Sequence, residues 1–358
     1  SFCTLLRELK SSIYTYNTHS LHSIDTTHYG VMSFTPVSSL KGQHVTAAGQ
    51  FNRADIDALM DLALQMRSHI ESGQVIDALK GKLMTPIFYE NSSRTLSSFC
   101  AAMLRLGGNV VNFNVDKSSV NKGETLQDTI RTLDSYSDIL VLRHPQVEAL
   151  HDAVAVASHP VMNAGNGSEE HPTQALLDLL TIKAELGQID GLTIALVGDL
   201  KMGRTVHSLL HILAHNFNLK RVYLVAPTSL QMPIHVLESV EDELRTRQTE
   251  LKMSASLSKE IVADCDVLYV TRLQKERFTC TQSDDSDALV AFEQAKADLC
   301  VDRARLQAAK PQMIVMHPLP RVDELSTDID TDPRAAYFRQ MRYGLFMRMA
   351  ILYSVLAA

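Results

Sequence analysis

The residues best equipped for chemistry stand in short polar runs, each just after an apolar run of strand length. Asn91-Ser92-Ser93-Arg94-Thr95 follows Leu83–Tyr89 and opens a helical pattern that reaches Leu106 and stops at Gly107-Gly108. A helix start offers unpaired N–H groups and the positive end of its dipole. Three hydroxyls and a guanidinium add donors, so the run suits a phosphate. Taken alone, it equally fits an ordinary helix cap followed by a surface arginine. Ser118, Ser119 and Lys122-Gly123-Glu124 follow Val110–Val115, and Arg143-His144-Pro145 follows Ile139–Leu142. Cation-bearing turns at three successive strand ends point to an anionic ligand.

A further run, Glu170-His171-Pro172-Thr173-Gln174, opens a long helical pattern. Proline suits the first helical turn and holds His171 and Gln174 at the helix mouth. Histidine can donate to a carbonyl oxygen, and the glutamine amide can accept from an –NH2 group. By itself His-Pro merely caps a helix; beside a phosphate site the pair suits an amide-like acyl group.

The elements that must position these residues alternate. Asn52 is placed to cap a helix with Ile56, Leu59, Met60, Ala63 and Leu64 at helical spacing. Strands are expected at Leu83–Tyr89, Val110–Val115, Ile139–Leu142 and Val161–Ala164, with helices Thr125–Tyr136 and Val147–Ala157 between them. A helix from Pro172 to Leu186, stopped by Gly187, leads to a second series: strand Thr193–Val197, helix Arg204–His215, strand Val222–Val225, helix Ile234–Leu244, then strands Val267–Val270 and Met313–Val315. A final helix, Ala335–Leu356, is apolar all round and is expected to pack on both halves. This pattern predicts an α/β protein of two domains, each a parallel sheet flanked by helices. Ligands of open parallel sheets bind beyond the carboxyl ends of the strands, where the polar runs lie.

Phe88-Tyr89-Glu90-Asn91-Ser92-Ser93-Arg94-Thr95, the Arg143-His144-Pro145 turn and His171-Pro172-Thr173-Gln174 together resemble the carbamoyl-phosphate motifs of the transcarbamoylases, in order and spacing, and the likeness extends over roughly residues 45–358. The family's acceptor is decided in the second half. There Gly198–Ser208, Thr271–Arg277 and His317-Pro318-Leu319-Pro320-Arg321 are similar to signatures of the aspartate-using members. Charge agrees: Arg204, Arg272 and Lys122 suit two carboxylates, whereas the cationic side chain of ornithine would be repelled by Arg272. Ornithine enzymes also typically carry Cys-Leu-Pro where this chain has Pro318-Leu319-Pro320.

The resemblance implies roles residue by residue. Ser92, Ser93, Arg94 and Thr95 hold the phosphate, with Ser118 and Lys122 reaching in from a neighbouring subunit of a homotrimer with shared sites. Thr95, Arg143 and His171 point at the carbonyl oxygen, which becomes an oxyanion when the amine attacks. Gln174 and the carbonyls of Pro318 and Leu319 take the carbamoyl –NH2. Arg204, Arg272 and Gln274, with Lys122, bind L-aspartate. No side chain is an obvious general base, so the departing phosphate is expected to take the amine proton. Ser93 stands where threonine is usual and keeps the hydroxyl; Leu96 stands where bacterial members often have arginine. The implied activity is aspartate carbamoyl transfer, an early step of de novo pyrimidine synthesis. The alternative is a catalytically silent scaffold of the same fold, which predicts broken site residues.

Two other motifs compete. Gly198-x4-Gly203-Arg204-Thr205 approaches a nucleotide-binding loop but has arginine where that loop needs lysine. His207, His211 and His215 form a stripe that suggests zinc, yet without H-E-x-x-H it reads as surface and packing. No metal and no cofactor are expected.

The 358 residues exceed one comfortable core, and 45% apolar with 21% charged residues is ordinary globular composition. A net charge of −7 draws neither nucleic acid nor anionic lipid, so anionic ligands depend on local cations. Five scattered cysteines without C-x-x-C read as free thiols in a reducing, cytoplasmic compartment. No apolar run approaches the ~18 residues of a membrane span. The expected division is an N-terminal extension or linker at 1–45, with one short helix near Thr4–Tyr14, then a carbamoyl-phosphate domain of 46–186 plus 337–358 and an aspartate domain of 187–336. Because the chain starts at Ser1, it reads either as trimmed or as one domain of a longer pyrimidine-synthesis polypeptide.

Overall fold

The computed structural model describes residues 34–274, 278 and 285–357. The expected helix at Thr4–Tyr14, Cys3, Cys280 and the motif positions Lys275–Arg277 lie outside the described residues. From Thr35 onward the described residues belong to one compact unit.

Helix α1 (Arg53–Glu71) starts where Asn52 accepts a hydrogen bond from the Asp55 N–H, and it buries Ile56, Leu59, Met60 and Ala63 as their spacing requires. Strand β1 (Leu83–Phe88), helix α2 (Ser93–Arg105), strand β2 (Asn109–Val110), helix α3 (Leu126–Asp134), strand β3 (Ile139–His144), helix α4 (Ala149–Val156) and strand β4 (Val161–Asn166) follow. They build a parallel four-stranded sheet in the order β2-β1-β3-β4. Helix α5 (Pro172–Leu186) is buried throughout its first three turns and ends at Gly187, whose φ of 79° is the left-handed conformation that glycine supplies at a helix end.

The second series is strand β5 (Thr193–Val197), helix α6 (Arg204–Asn216), strand β6 (Arg221–Val225), helix α7 (Ile234–Thr246), strand β7 (Glu250–Ser254), helix α8 (Lys259–Asp264), strand β8 (Val267–Val270), helix α9 (Asp285–Leu299) and strand β9 (Ile314–Met316). Its sheet is also parallel, ordered β7-β6-β5-β8-β9. Helix α10 (Tyr337–Leu356) packs on α1, α2 and α5 and also reaches β9. The architecture is the expected pair of parallel sheets flanked by helices.

Several local readings change. The strand expected at Val110–Val115 pairs only at Asn109–Val110, with one further bond from the Val111 N–H to the Met84 carbonyl. It is an edge strand, and Asn114 turns the chain away by accepting from the Asp116 N–H. Strand β7 was not expected, because E-L-K-M-S lies at the other sheet's edge with most of its side chains exposed and so shows no apolar run. Helices α8 and α9 were not expected either; α8 is a six-residue helix capped by Ser258. Within the stretch read as an extension, Val45 bridges to Met162 and the Gly42 N–H donates to the Val355 carbonyl, so residues 42–45 pack on the first sheet and on α10.

Candidate active site

The strand ends of the two sheets face a cleft of about 1030 Å³. Twelve of the fourteen residues singled out in the sequence line it: Ser92, Ser93, Arg94 and Thr95 from the turn after β1, Arg143 from β3, His171 and Gln174 from the start of α5, and Arg204, Arg272, Gln274, Pro318 and Leu319 from the second half. Ser118 and Lys122 do not. They line a separate cavity of about 540 Å³ beside α3, with Phe113 and Glu124.

Helix α2 begins at Ser93, so the loop from Asn91 to Thr95 brings unpaired N–H groups to the cleft as the sequence requires. The Ser92 hydroxyl donates to Thr95 Oγ1 at 3.0 Å, ordering two of the hydroxyls. Burial and then the nearby charge of Arg272 lower the pKa of Arg94, which records two cations facing one space from the two halves. Among the described residues, five arginines (Arg94, Arg143, Arg204, Arg272 and Arg348) line the cleft against two carboxylates, Glu90 and Asp199. In a chain of net charge −7 this is a local positive field suited to an anionic ligand.

Glu90 organises that field. Its carboxylate accepts from Arg143 Nη2 at 2.6 Å and from Arg204 Nη2 at 3.0 Å, while Arg143 also donates to the Ala164 carbonyl and Arg204 to the Gly167 carbonyl. Burial pushes the Glu90 carboxyl up, but the hydrogen bond from Arg204 and the charge of Arg143 outweigh it and hold it below the usual carboxylate range. Gly165 makes room for the arrangement. Its φ is +117°, and a side chain there would meet Arg143 Nη1 at 3.1 Å and Arg204 Cζ at 3.3 Å.

His171 is 3% exposed, donates its backbone N–H to the Ser208 hydroxyl, and has no partner for Nδ1 among the described residues. Burial, then the charges of Arg143, Arg204 and Arg348, pushes its pKa well below the ordinary histidine value. A neutral imidazole there can donate from one nitrogen to a carbonyl oxygen without adding a charge. Pro318 and Leu319 follow His317, which is fully buried and pairs with buried Glu324 at 2.9 Å. The Leu319 N–H donates to His317 Nδ1, so Nε2 carries the proton toward Glu324.

Three residues at the site went unassigned in the sequence. Glu90 stood inside a quoted motif, but its two arginine partners are 53 and 114 positions away. Arg348 lies on α10, read as apolar all round. It donates to the Ser98 hydroxyl at 3.0 Å, stacks 4.9 Å over the Phe99 ring, and burial lowers its pKa to about 10. Asp178 lies one helical turn beyond Gln174 and is completely buried. The histidine stripe is occupied in packing: His207 bonds the Leu200 carbonyl, and the His211 and His215 rings stack 4.0 Å apart. Among the described residues no helix is long and apolar enough to cross a membrane.

Comparison with known proteins agrees with this geometry. The aspartate transcarbamoylase of Trypanosoma cruzi, solved in complex with N-(phosphonacetyl)-L-aspartic acid, is 61% identical, superposes with a TM-score of 0.86, and aligns over 90% of this chain and 99% of that one. The multifunctional protein pyr-3 of Neurospora crassa is 48% identical over 319 residues, 89% of this chain and 17% of that protein. This chain therefore spans about a sixth of the length of that relative. The chloroplastic aspartate carbamoyltransferase of Arabidopsis thaliana is 46% identical over 305 residues, 85% of this chain and 75% of that one. Residues 43–184 match the carbamoyl-P binding domain of aspartate/ornithine carbamoyltransferases, and residues 190–355 match the Asp/Orn binding domain. With both halves matched and the cleft lying between them, the chain belongs to the aspartate/ornithine carbamoyltransferase family.

Proposed function

We propose that this chain is an enzyme that transfers the carbamoyl group of carbamoyl phosphate to the amine of L-aspartate, giving N-carbamoyl-L-aspartate and phosphate. The observation that carries the reading is the cleft's charge, with Arg94 and Arg143 on the first half facing Arg204 and Arg272 on the second. A phosphate needs one set, and two carboxylates need the other. Ornithine's cationic side chain fits neither. The T. cruzi relative, solved with carbamoyl phosphate and aspartate together, supports the same choice.

In this reading the helix start at Ser93, with Ser92, Arg94 and Thr95, takes the phosphate, while Arg204, Arg272 and Gln274 take the aspartate carboxylates. Thr95, Arg143 and His171 face the carbonyl oxygen. Gln174 and the Pro318 and Leu319 carbonyls take the –NH2. The amine attacks the carbonyl carbon, the bond from carbon to the phosphate oxygen breaks, and the departing phosphate accepts the amine proton. Positioning and charge stabilisation supply the rate. The carbamoyl-phosphate domain is residues 46–186 plus 337–358 and the aspartate domain residues 187–336. Ser118 and Lys122 serve the site of an adjacent subunit in a homotrimer; their position in a separate cavity of their own chain supports this. The multifunctional relatives support a setting among other pyrimidine-pathway domains, and the same reading puts the chain in the cytoplasm.

A silent scaffold would have lost site residues, and this cleft retains them. Carbamoyl-product formation from carbamoyl phosphate, assayed with aspartate and separately with ornithine, tests the reading. Product with aspartate alone is expected. Product with ornithine, or with neither, overturns it.

A further inference from the structure

The buried carboxyl of Asp178 makes none of the proposed substrate contacts, yet it joins the two groups placed to receive the donor's –NH2. Its Oδ1 accepts from Gln174 Nε2 at 2.9 Å and from Gln340 Nε2 at 2.7 Å. Its Oδ2 accepts from the Tyr269 hydroxyl at 2.8 Å. The network draws on three elements: α5 for Asp178 and Gln174, β8 for Tyr269, and α10 for Gln340. Asp178, Tyr269 and Gln340 are all completely buried.

A glutamine amide is nearly symmetric in shape, and which end faces a ligand depends on what holds the other end. Asp178 Oδ1 holds the nitrogen of Gln174, which turns the amide oxygen toward the cleft that Gln174 lines. The same atom holds the nitrogen of Gln340. That leaves the Gln340 oxygen to accept from the His317 N–H at 2.9 Å, anchoring the turn that carries Pro318 and Leu319.

We propose that Asp178 is the positioning residue that makes this site select an –NH2 group on its acyl donor, by orienting the Gln174 amide directly and the His317–Leu319 turn through Gln340. The proposal rests on the carbamoyl-transfer reading and deepens it. The orientation does not depend on ionisation. A proton on Oδ2 is shared with the Tyr269 oxygen, and Oδ1 remains the acceptor for both glutamines. By the same logic asparagine retains the device, with its oxygen at the Oδ1 position and its nitrogen donating to Tyr269.

The test compares carbamoyl phosphate with acetyl phosphate, in which a methyl group replaces –NH2. The quantity read is the inhibition constant of acetyl phosphate divided by the KM of carbamoyl phosphate, for the wild type, Asp178→Ser, Asp178→Asn and Gln340→Met. Serine is too short to reach either glutamine, so Gln174 is free to turn its own –NH2 toward the donor. The ratio is expected to fall by roughly tenfold or more in Asp178→Ser, with acetyl phosphate binding nearly unchanged. It should stay within about threefold of wild type in Asp178→Asn and fall several-fold in Gln340→Met. Equal weakening of both phosphates in Asp178→Ser, the result of a purely structural role, overturns the proposal. If Asp178→Ser does not fold, an unchanged ratio in Gln340→Met overturns it. A wild-type protein that makes no carbamoyl-aspartate overturns the functional reading itself, an outcome separate from either.

Discussion

Arg204 and Glu90 meet at 3.0 Å, the arginine on the first helix of the second series and the carboxylate on the turn after β1, so an ion pair spans the two halves of the cleft. Arg143 holds the same carboxylate at 2.6 Å. Two cations assigned to substrates are thus held in place by one anion of the protein. Glu90 is about a third exposed, so the pair's effect on stability is screened, and its main effect is on orientation. Glu90→Gln should lower kcat/KM for aspartate by about tenfold while shifting Tm only slightly. Steady-state kinetics beside thermal unfolding check this. An unchanged kcat/KM would show that the arginines are placed without Glu90.

Removing Arg272 separates the two halves functionally. Arg272→Ala should raise the KM for aspartate and leave carbamoyl-phosphate binding nearly intact, because the phosphate is assigned to the other half. Loss of a charge-assisted contact of this kind costs on the order of 1.5–3 kcal/mol, more if the carboxylate is buried. Equal damage to both substrates in binding titrations would show the residue to be misplaced.

Two inactive variants should rescue each other. If Lys122 completes a neighbour's site, rings reassembled from a mixture of Arg94→Ala and Lys122→Ala chains recover about a quarter of intact sites. If both residues serve one chain's site, every site stays damaged. Activity measured after dissociation and mixing decides, with mixing verified by native mass spectrometry.

Asp178 gives a pH prediction with a definite sign. Burial pushes its carboxyl from 3.8 up to about 7, against hydrogen bonds from Tyr269, Gln340 and Gln174 that favour the ionised form. Between those values the folded protein holds a proton that the unfolded chain has released, so this group's contribution to stability falls as pH rises through the window. Asp178→Asn cannot ionise. Its Tm relative to wild type should therefore increase from pH 4 to pH 8, by an amount equivalent to on the order of a few kcal/mol at most. Thermal unfolding across that range checks it; a difference that shrinks with rising pH contradicts the sign.

The sequence by itself determined the βα alternation, the start and stop of α5 at Pro172 and Gly187, and the polar runs after β1, β3, β5, β8 and β9. Each of these is a local signal: apolar runs between turns, a proline that suits the first helical position, a glycine that suits a left-handed one. Open parallel sheets place strand ends on one side, so local order was enough to gather twelve of the fourteen predicted residues in one cleft. Edge strands were harder to read, because a strand paired on one side and exposed needs no apolar run. For that reason Glu250–Ser254 was missed and Val110–Val115 was overextended. Only the tertiary structure decided which charges meet. Glu90 finds Arg204 from 114 positions away, and Asp178 finds Gln340 from 162 positions away. It also decided that Ser118 and Lys122 stand apart from their own chain's cleft. Such pairings follow from how two sheets and a returning C-terminal helix pack, and no local pattern in the chain encodes that distance.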